Sequence, residues 1–125
     1  MGRLTRVAPE LPVASMEDAL QYYTDQLGFE VAAVLPDRDY AIVERDDVAL
    51  HLFEAPAGTH GPVAIHAFVW GLDELHVELA GRGARVTQGI VQQPWGNRDF
   101  RVVDPAGNMI KFTEVASQSM TMEDR

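Results

Sequence analysis

Four histidines, at positions 51, 60, 66 and 76, are the side chains of this sequence best suited to proton transfer or metal ligation, because a neutral imidazole offers a lone pair near neutral pH. Two of them stand in alternating apolar stretches. His51 lies in residues 48–54 and shares a strand face with Ala49 and Phe53; His66 lies in residues 63–70 and shares one with Ala64 and Phe68. His60 falls in the linker Ala57-Gly58-Thr59-His60-Gly61, and His76 falls on a helix. The spacing of these histidines matches no metal-ligand motif, so ordinary polar side chains are the competing reading. Other reaction classes find little support. Cysteine is absent, which removes thiolate ligands, disulfides and cysteine nucleophiles and fits a reducing compartment. The serines are Ser15, Ser117 and Ser119, a helix start and two tail positions, and neither a Gly-x-Ser-x-Gly turn nor a glycine-rich phosphate loop is present. Asp37, Asp39, Asp46 and Asp47 read as turn formers. Trp95, in Pro94-Trp95-Gly96, is a loop tryptophan, a position less easily explained by core packing and well suited to stacking on a planar ligand.

The elements that must position these residues come in two similar sets. Residues 4–13 are β-branched and apolar near alternation and read as a strand, with Pro9 and Pro12 confining it to an edge or to an exchange between subunits. Ser15 reads as an N-cap, with Asp18 three residues on. Met16, Ala19, Leu20, Tyr23 and Leu27 form one helical stripe that Gly28 closes. Strands follow at 29–35, 40–45 and 48–54. The order then repeats: a strand at 63–70, a helix with the stripe Leu72, Leu75, His76 and Leu79 closed by Gly81 and Gly83, and strands at 84–86, 100–103 and 109–114. Residues 16–20 correspond to 72–76, and Leu50-His51-Leu52 corresponds to Ile110-Lys111-Phe112, which makes an internal βαβββ repeat. The expectation is an α+β fold in one domain over residues 1–116, with modules at about 4–55 and 62–115, followed by a flexible tail at 117–125.

At 125 residues, with 46% hydrophobic and 23% charged residues, the chain has the composition of a folded domain. No apolar run is long enough for a membrane span, and the first residues lack a signal-peptide hydrophobic stretch, so the expectation is a cytoplasmic protein without a membrane partner. Nineteen acids against ten bases give a net charge of −9, with most of the excess in residues 1–60. No basic stripe exists to neutralise nucleic-acid phosphates, whereas a cationic ligand would be attracted.

Three stretches resemble the vicinal oxygen chelate superfamily and, within it, the bleomycin-resistance branch: Tyr22-Tyr23-Thr24-Asp25-Gln26-Leu27-Gly28-Phe29, Gly71-Leu72-Asp73-Glu74-Leu75, and Gln93-Pro94-Trp95-Gly96-Asn97-Arg98-Asp99-Phe100 running into Asp104-Pro105-Ala106-Gly107-Asn108. The resemblance implies a strand-exchanged homodimer in which curved mixed sheets from both chains wall each cleft, and in which a drug of the bleomycin type is sequestered unchanged. It implies a ligand-binding set of Tyr40, His51, Phe53, His66, Phe68, Trp95, Gly96, Arg98 and Lys111, with no catalytic residue and no cofactor. The ligand expected is a cationic, aromatic small molecule. Trp70, at a strand end, could instead serve an interface.

Enzymes of the same superfamily hold a divalent metal in the cleft. The resemblance places those four ligand positions at Ala8, His51, Ala64 and Lys111, and two methyl groups and an ammonium cannot hold a cation. The alternative is a metal-dependent lyase, dioxygenase or thiol transferase with a displaced site made of Glu10, His51 and His66; against it stands a simple Lys111–Glu10 ion pair. A third reading is a binding module for an endogenous metabolite. His51 and His66 also depart from the bleomycin binders, which carry aromatic residues there.

Overall fold

Ser15 begins the first helix as its sequence position requires. Its backbone is extended, and its hydroxyl accepts a hydrogen bond from the Asp18 amide at 3.1 Å. In the computed structural model, which describes residues 1–116, helix α1 (Met16–Gln21) runs directly into a π turn (Tyr22–Gln26). The widened turn lets the adjacent Tyr22 and Tyr23 both be buried, which a regular helical stripe would not allow. Gly28 then takes a φ of +75°, and a Cβ on it would lie 2.6 Å from Arg45 Nη1. That nitrogen is itself tied to the Leu27 carbonyl and to Glu78, so it cannot simply swing away. Gly28→Ala should therefore cost about 2 kcal/mol or more, combining the left-handed backbone penalty with a disturbed ion pair. Urea unfolding with an unchanged slope would read this out.

Strands β1 (Glu10–Val13), β2 (Glu30–Val34), β3 (Tyr40–Arg45) and β4 (Val48–Glu54) form one sheet in the order β1-β4-β3-β2. Strands β5 (Ala64–Phe68), β6 (Arg85–Gln92), β7 (Arg98–Val103) and β8 (Met109–Glu114) form a second in the order β5-β8-β7-β6, with helix α2 (Leu72–Gly81) across it. The first and last strands of each module pair in parallel and the rest antiparallel, so the repeat read from the sequence is one of topology. Alternation buries Leu50 and Leu52 of β4 against α1 and turns Ile65 and Ala67 of β5 toward the core of the second module.

Two boundaries differ by more than two residues from the sequence expectation. Residues 4–9 are not strand: the Pro9 carbonyl still accepts from the His51 amide at 3.0 Å, but the residues before it lie beside no strand of the chain, and Leu4 and Val7 are fully exposed. The strand expected at 84–86 runs on to Gln92, through two register shifts against β7 that break the two-residue period. The tail expected at 117–125 lies outside the described residues.

The turn Asp104-Pro105-Ala106-Gly107-Asn108 latches the modules together. Asp104 Oδ1 accepts from the amides of Ala106 and Asn108 at 2.8 and 2.9 Å, and Oδ2 accepts from the Tyr23 hydroxyl and Asn108 Nδ2, both at 2.9 Å. Asn108 Nδ2 also donates to the Pro12 carbonyl at 2.8 Å, and Asn108 Oδ1 accepts from the Val63 amide at 3.0 Å. All three side chains are buried, and burial first, then the Asp104 carboxylate, pushes the Tyr23 phenol well above its ordinary pKa. The motif residues that carry the family resemblance in this turn are thus structural.

Candidate functional site

Each sheet buries one face against its helix and leaves the other open, and residues directly opposite across paired strands share a face. On the first sheet Tyr40 lies opposite Phe53, Ile42 opposite His51, Glu44 opposite Ala49, and Glu10 opposite His51. Glu30, opposite Glu44, completes an acidic open face with Glu10. Tyr40 is the hub. Its hydroxyl donates to Glu10 Oε2 at 2.6 Å and lies 2.7 Å from His51 Nδ1, with the two rings edge to face at 5.7 Å. The hydrogen bond to Glu10 holds the Tyr40 phenol above its ordinary pKa. Phe53 meets His60 edge to face at 5.5 Å, which brings the linker histidine to this face as well.

The open face of the second sheet has the opposite sign. His66 lies opposite Lys111, and Lys111 opposite Arg101; the next row is Phe68, Thr113 and Asp99. His66 Nδ1 lies 3.2 Å from Thr113 Oγ1, and its ring stacks on Phe68 at 6.0 Å. Asp99 is buried and satisfied by Gln88, Gln93 and Arg101. Lys111 forms no ion pair among the described residues, and the expected Lys111–Glu10 pair is absent within one chain because the two side chains stand on different sheets.

Trp95 and Gly96 sit in the tight turn joining β6 to β7. The Gly96 amide donates to the Gln93 carbonyl at 2.9 Å, and the Gln93 amide to the Asn97 carbonyl at 2.7 Å. Gly96 has a φ of +102°, and the turn leaves Trp95 66% exposed. Arg98 bridges Asp73 of α2 and Glu114 of β8 at 2.8 and 2.7 Å. Both carboxylates raise its pKa, Asp73 most, and Arg98 in turn lowers theirs.

The structure therefore gathers Tyr40, His51 and Phe53 on one open face and His66, Phe68 and Lys111 on the other, with Trp95, Gly96 and Arg98 at the β6–β7 turn. Sequence reasoning left Glu10 and Thr113 out of the binding set; alternation from Ala8 and from Lys111 was the signal for each. A separate cavity of about 430 Å³ lies between the modules, with Leu27, Phe29 and Leu75 among its apolar residues and Arg45 and Glu78 among its polar ones. Of the sequence-predicted set only Phe68 borders it, along with Trp70, which is 80% exposed.

At the four positions where the resemblance implies metal ligands, donors are scarce. Among Ala8, His51, Ala64 and Lys111 only His51 carries a donor ordinarily used by a divalent metal, and a single imidazole does not make a site. Among the described residues no three His, Asp or Glu side chains are grouped to hold an ion.

Residues 3–112 match the family model for the Glyoxalase/Bleomycin resistance protein/Dioxygenase superfamily. The chain belongs to that superfamily. A bleomycin resistance protein of Geobacillus stearothermophilus is 29% identical over 123 residues, covering 83% of this chain and 92% of the relative. The bleomycin-binding protein of Streptomyces verticillus, solved in complex with copper(II)-bleomycin, superposes with a TM-score of 0.74 at 29% identity and covers 92% of this chain and 99% of its own. The lactoylglutathione lyase of Agrobacterium tumefaciens has a TM-score of 0.73 at 19% identity, covering 90% and 96%, a likeness of fold alone. The family description itself spans glyoxalases, bleomycin resistance proteins and dioxygenases, so membership fixes the scaffold and leaves the activity to be argued from side chains.

Proposed function

We propose that two copies of this chain assemble so that the acidic open face of one faces the basic open face of the other, and that each cleft so formed sequesters a bleomycin-type drug without metal-dependent chemistry, conferring resistance in the cytoplasm. The observation that carries this reading is the state of Phe68 and Trp95. Both are large rings about two-thirds exposed, 64% and 66%, on the surfaces that the fold leaves open. The relatives named for bleomycin resistance and bleomycin binding support the ligand class. The opposite signs of the faces, Glu10, Glu30 and Glu44 against Lys111 and Arg101, support the assembly, as do residues 4–9, whose exposed Leu4 and Val7 lack any strand partner within the chain. In this arrangement Lys111 of one copy meets Glu10 of the other. The rings stack on planar heteroaromatic groups of the drug, and the acidic face receives its cationic part.

Thermal shift tests this cheaply. A ligand at one hundred times its Kd stabilises a fold by about 2.7 kcal/mol, so bleomycin at that excess should raise Tm by about 10 °C. Nickel, zinc, manganese and iron(II) alone should not. Tight one-to-one binding of any of these ions, abolished by His51→Ala, would overturn the reading in favour of an enzyme. Light scattering at micromolar concentration should give a dimer; a monomer would contradict the assembly. Affinity for the drug should weaken with added salt, since a net charge of −9 contributes to capture.

A further inference from the structure

A phenol has one proton, and Tyr40 has two short polar contacts that compete for it: Glu10 Oε2 at 2.6 Å and His51 Nδ1 at 2.7 Å. With Glu10 ionised, that proton must lie toward the carboxylate, because two acceptor oxygens at this separation would otherwise repel. The phenol oxygen is then an acceptor toward His51, and Nδ1 must be the donor. A neutral imidazole carries a single N–H, so Nε2 is left as a bare lone pair, and among the described residues it has no protein hydrogen-bond partner.

We infer that the Glu10–Tyr40–His51 chain is a specificity-determining element that fixes His51 in its Nδ1–H tautomer and offers Nε2 as an acceptor to an N–H group of the ligand. This rests on reading the open faces as the ligand site. The surroundings on the same sheet favour the same ligand chemistry. β1 contributes Glu10; β3 contributes Tyr40, with Ile42 between it and Glu44; the neighbours of His51 along the same face of β4 are Ala49 and Phe53; and His60 reaches this face through Phe53. Neither Glu10 nor Glu44 has an ion-pair partner among the described residues. Beside Nε2 a carboxylate or phosphate would meet a lone pair and the carboxylates of the same sheet, even where the proposed assembly brings up the partner's Lys111, whereas an amine, amide or amino-heterocycle presents the hydrogen that Nε2 accepts.

Long-range proton–nitrogen NMR of the 15N-labelled, ligand-free protein at pH 8 reads the tautomer directly. His51 should carry its proton on Nδ1, and Tyr40→Phe, which removes the acceptor, should return it to Nε2. A wild-type Nε2–H form would overturn the inference whether or not any drug binds. Calorimetry with metal-free bleomycin then tests the role. His51→Gln, whose amide oxygen can reach the place of Nε2, should keep affinity within about threefold; His51→Asn, whose polar atoms reach only the place of Nδ1, should lose about tenfold. Equal losses in the two variants would overturn the acceptor role. Failure of the wild-type protein to bind bleomycin, with the Nδ1–H tautomer present, would instead overturn the drug reading of the site.

Discussion

Asp104→Ala should lower the free energy of unfolding by about 4 kcal/mol, the largest stability loss expected of any single substitution outside the apolar core. The carboxylate is fully buried and accepts four hydrogen bonds, so its removal leaves the Tyr23 phenol, two backbone N–H groups and one of the two Asn108 side-chain N–H groups without an acceptor. Hydrogen bonds to a charged group contribute about 1.5–3 kcal/mol each, and donors left dry in a buried site cost more than the bond was worth. Against a usual total of about 5–15 kcal/mol, this is a large share. Two variants separate charge from shape. Asp104→Asn keeps the volume and one good acceptor and should lose about half as much, while Tyr23→Phe deletes a single donor and should cost about 1–2 kcal/mol. Urea unfolding provides the measurement. A loss below about 1 kcal/mol for Asp104→Ala would mean that the turn does not hold the two modules together.

The double substitution Phe68→Ala, Trp95→Ala should weaken bleomycin binding by about a hundredfold or more while leaving stability nearly unchanged. Stacking of a planar heterocycle on an aromatic side chain is worth about 1–3 kcal/mol by alanine substitution, and about 1.4 kcal/mol is a factor of ten. Each single change should therefore cost about tenfold. Both rings are already mostly exposed, so truncation removes little buried area from the folded protein. Trp95→Ala should also abolish most of the fluorescence quenching that accompanies binding. Trp70→Phe is the control and should leave affinity and quenching close to wild type, because Trp70 borders the cavity between the modules and lies outside the Trp95 turn. Loss of binding in that control, with Trp95→Ala silent, would move the site to the inter-module cavity.

How much of this was legible in the sequence follows from the physics of each element. Strands β3, β4 and β8 fall on residues 40–45, 48–54 and 109–114 as alternation placed them, because acidic and glycine turns bracket them and one face of each is buried. β6 was mostly missed: Thr87, Gln88 and Gly89 carry no apolar period, and the register shifts there undo what alternation remains. The amino-terminal strand was overextended because residues 4–8 have strand-like composition but no neighbour within the chain. The stripe of α1 was visible, but the π turn that buries both tyrosines was not, since one extra residue per turn leaves no signature in a short helix.

For the site, alternation put His51, Phe53, His66, Phe68 and Lys111 on the open faces. It could not show that Tyr40 joins Glu10 to His51, which depends on side-chain reach across three strands, nor that Arg98 is spent on two carboxylates brought together by the fold.

Isothermal titration calorimetry of the purified protein with metal-free and with copper(II)-loaded bleomycin, with the oligomeric state measured on the same sample, asks whether the open faces form a drug-sequestering cleft. Binding should be saturable with Kd in the micromolar range or tighter, at one drug per chain and hence two per dimer, with the drug recovered chemically unchanged. A folded protein that gives no heat and no saturation at high micromolar drug, or one that converts the drug to a product, would contradict the drug-sequestering reading.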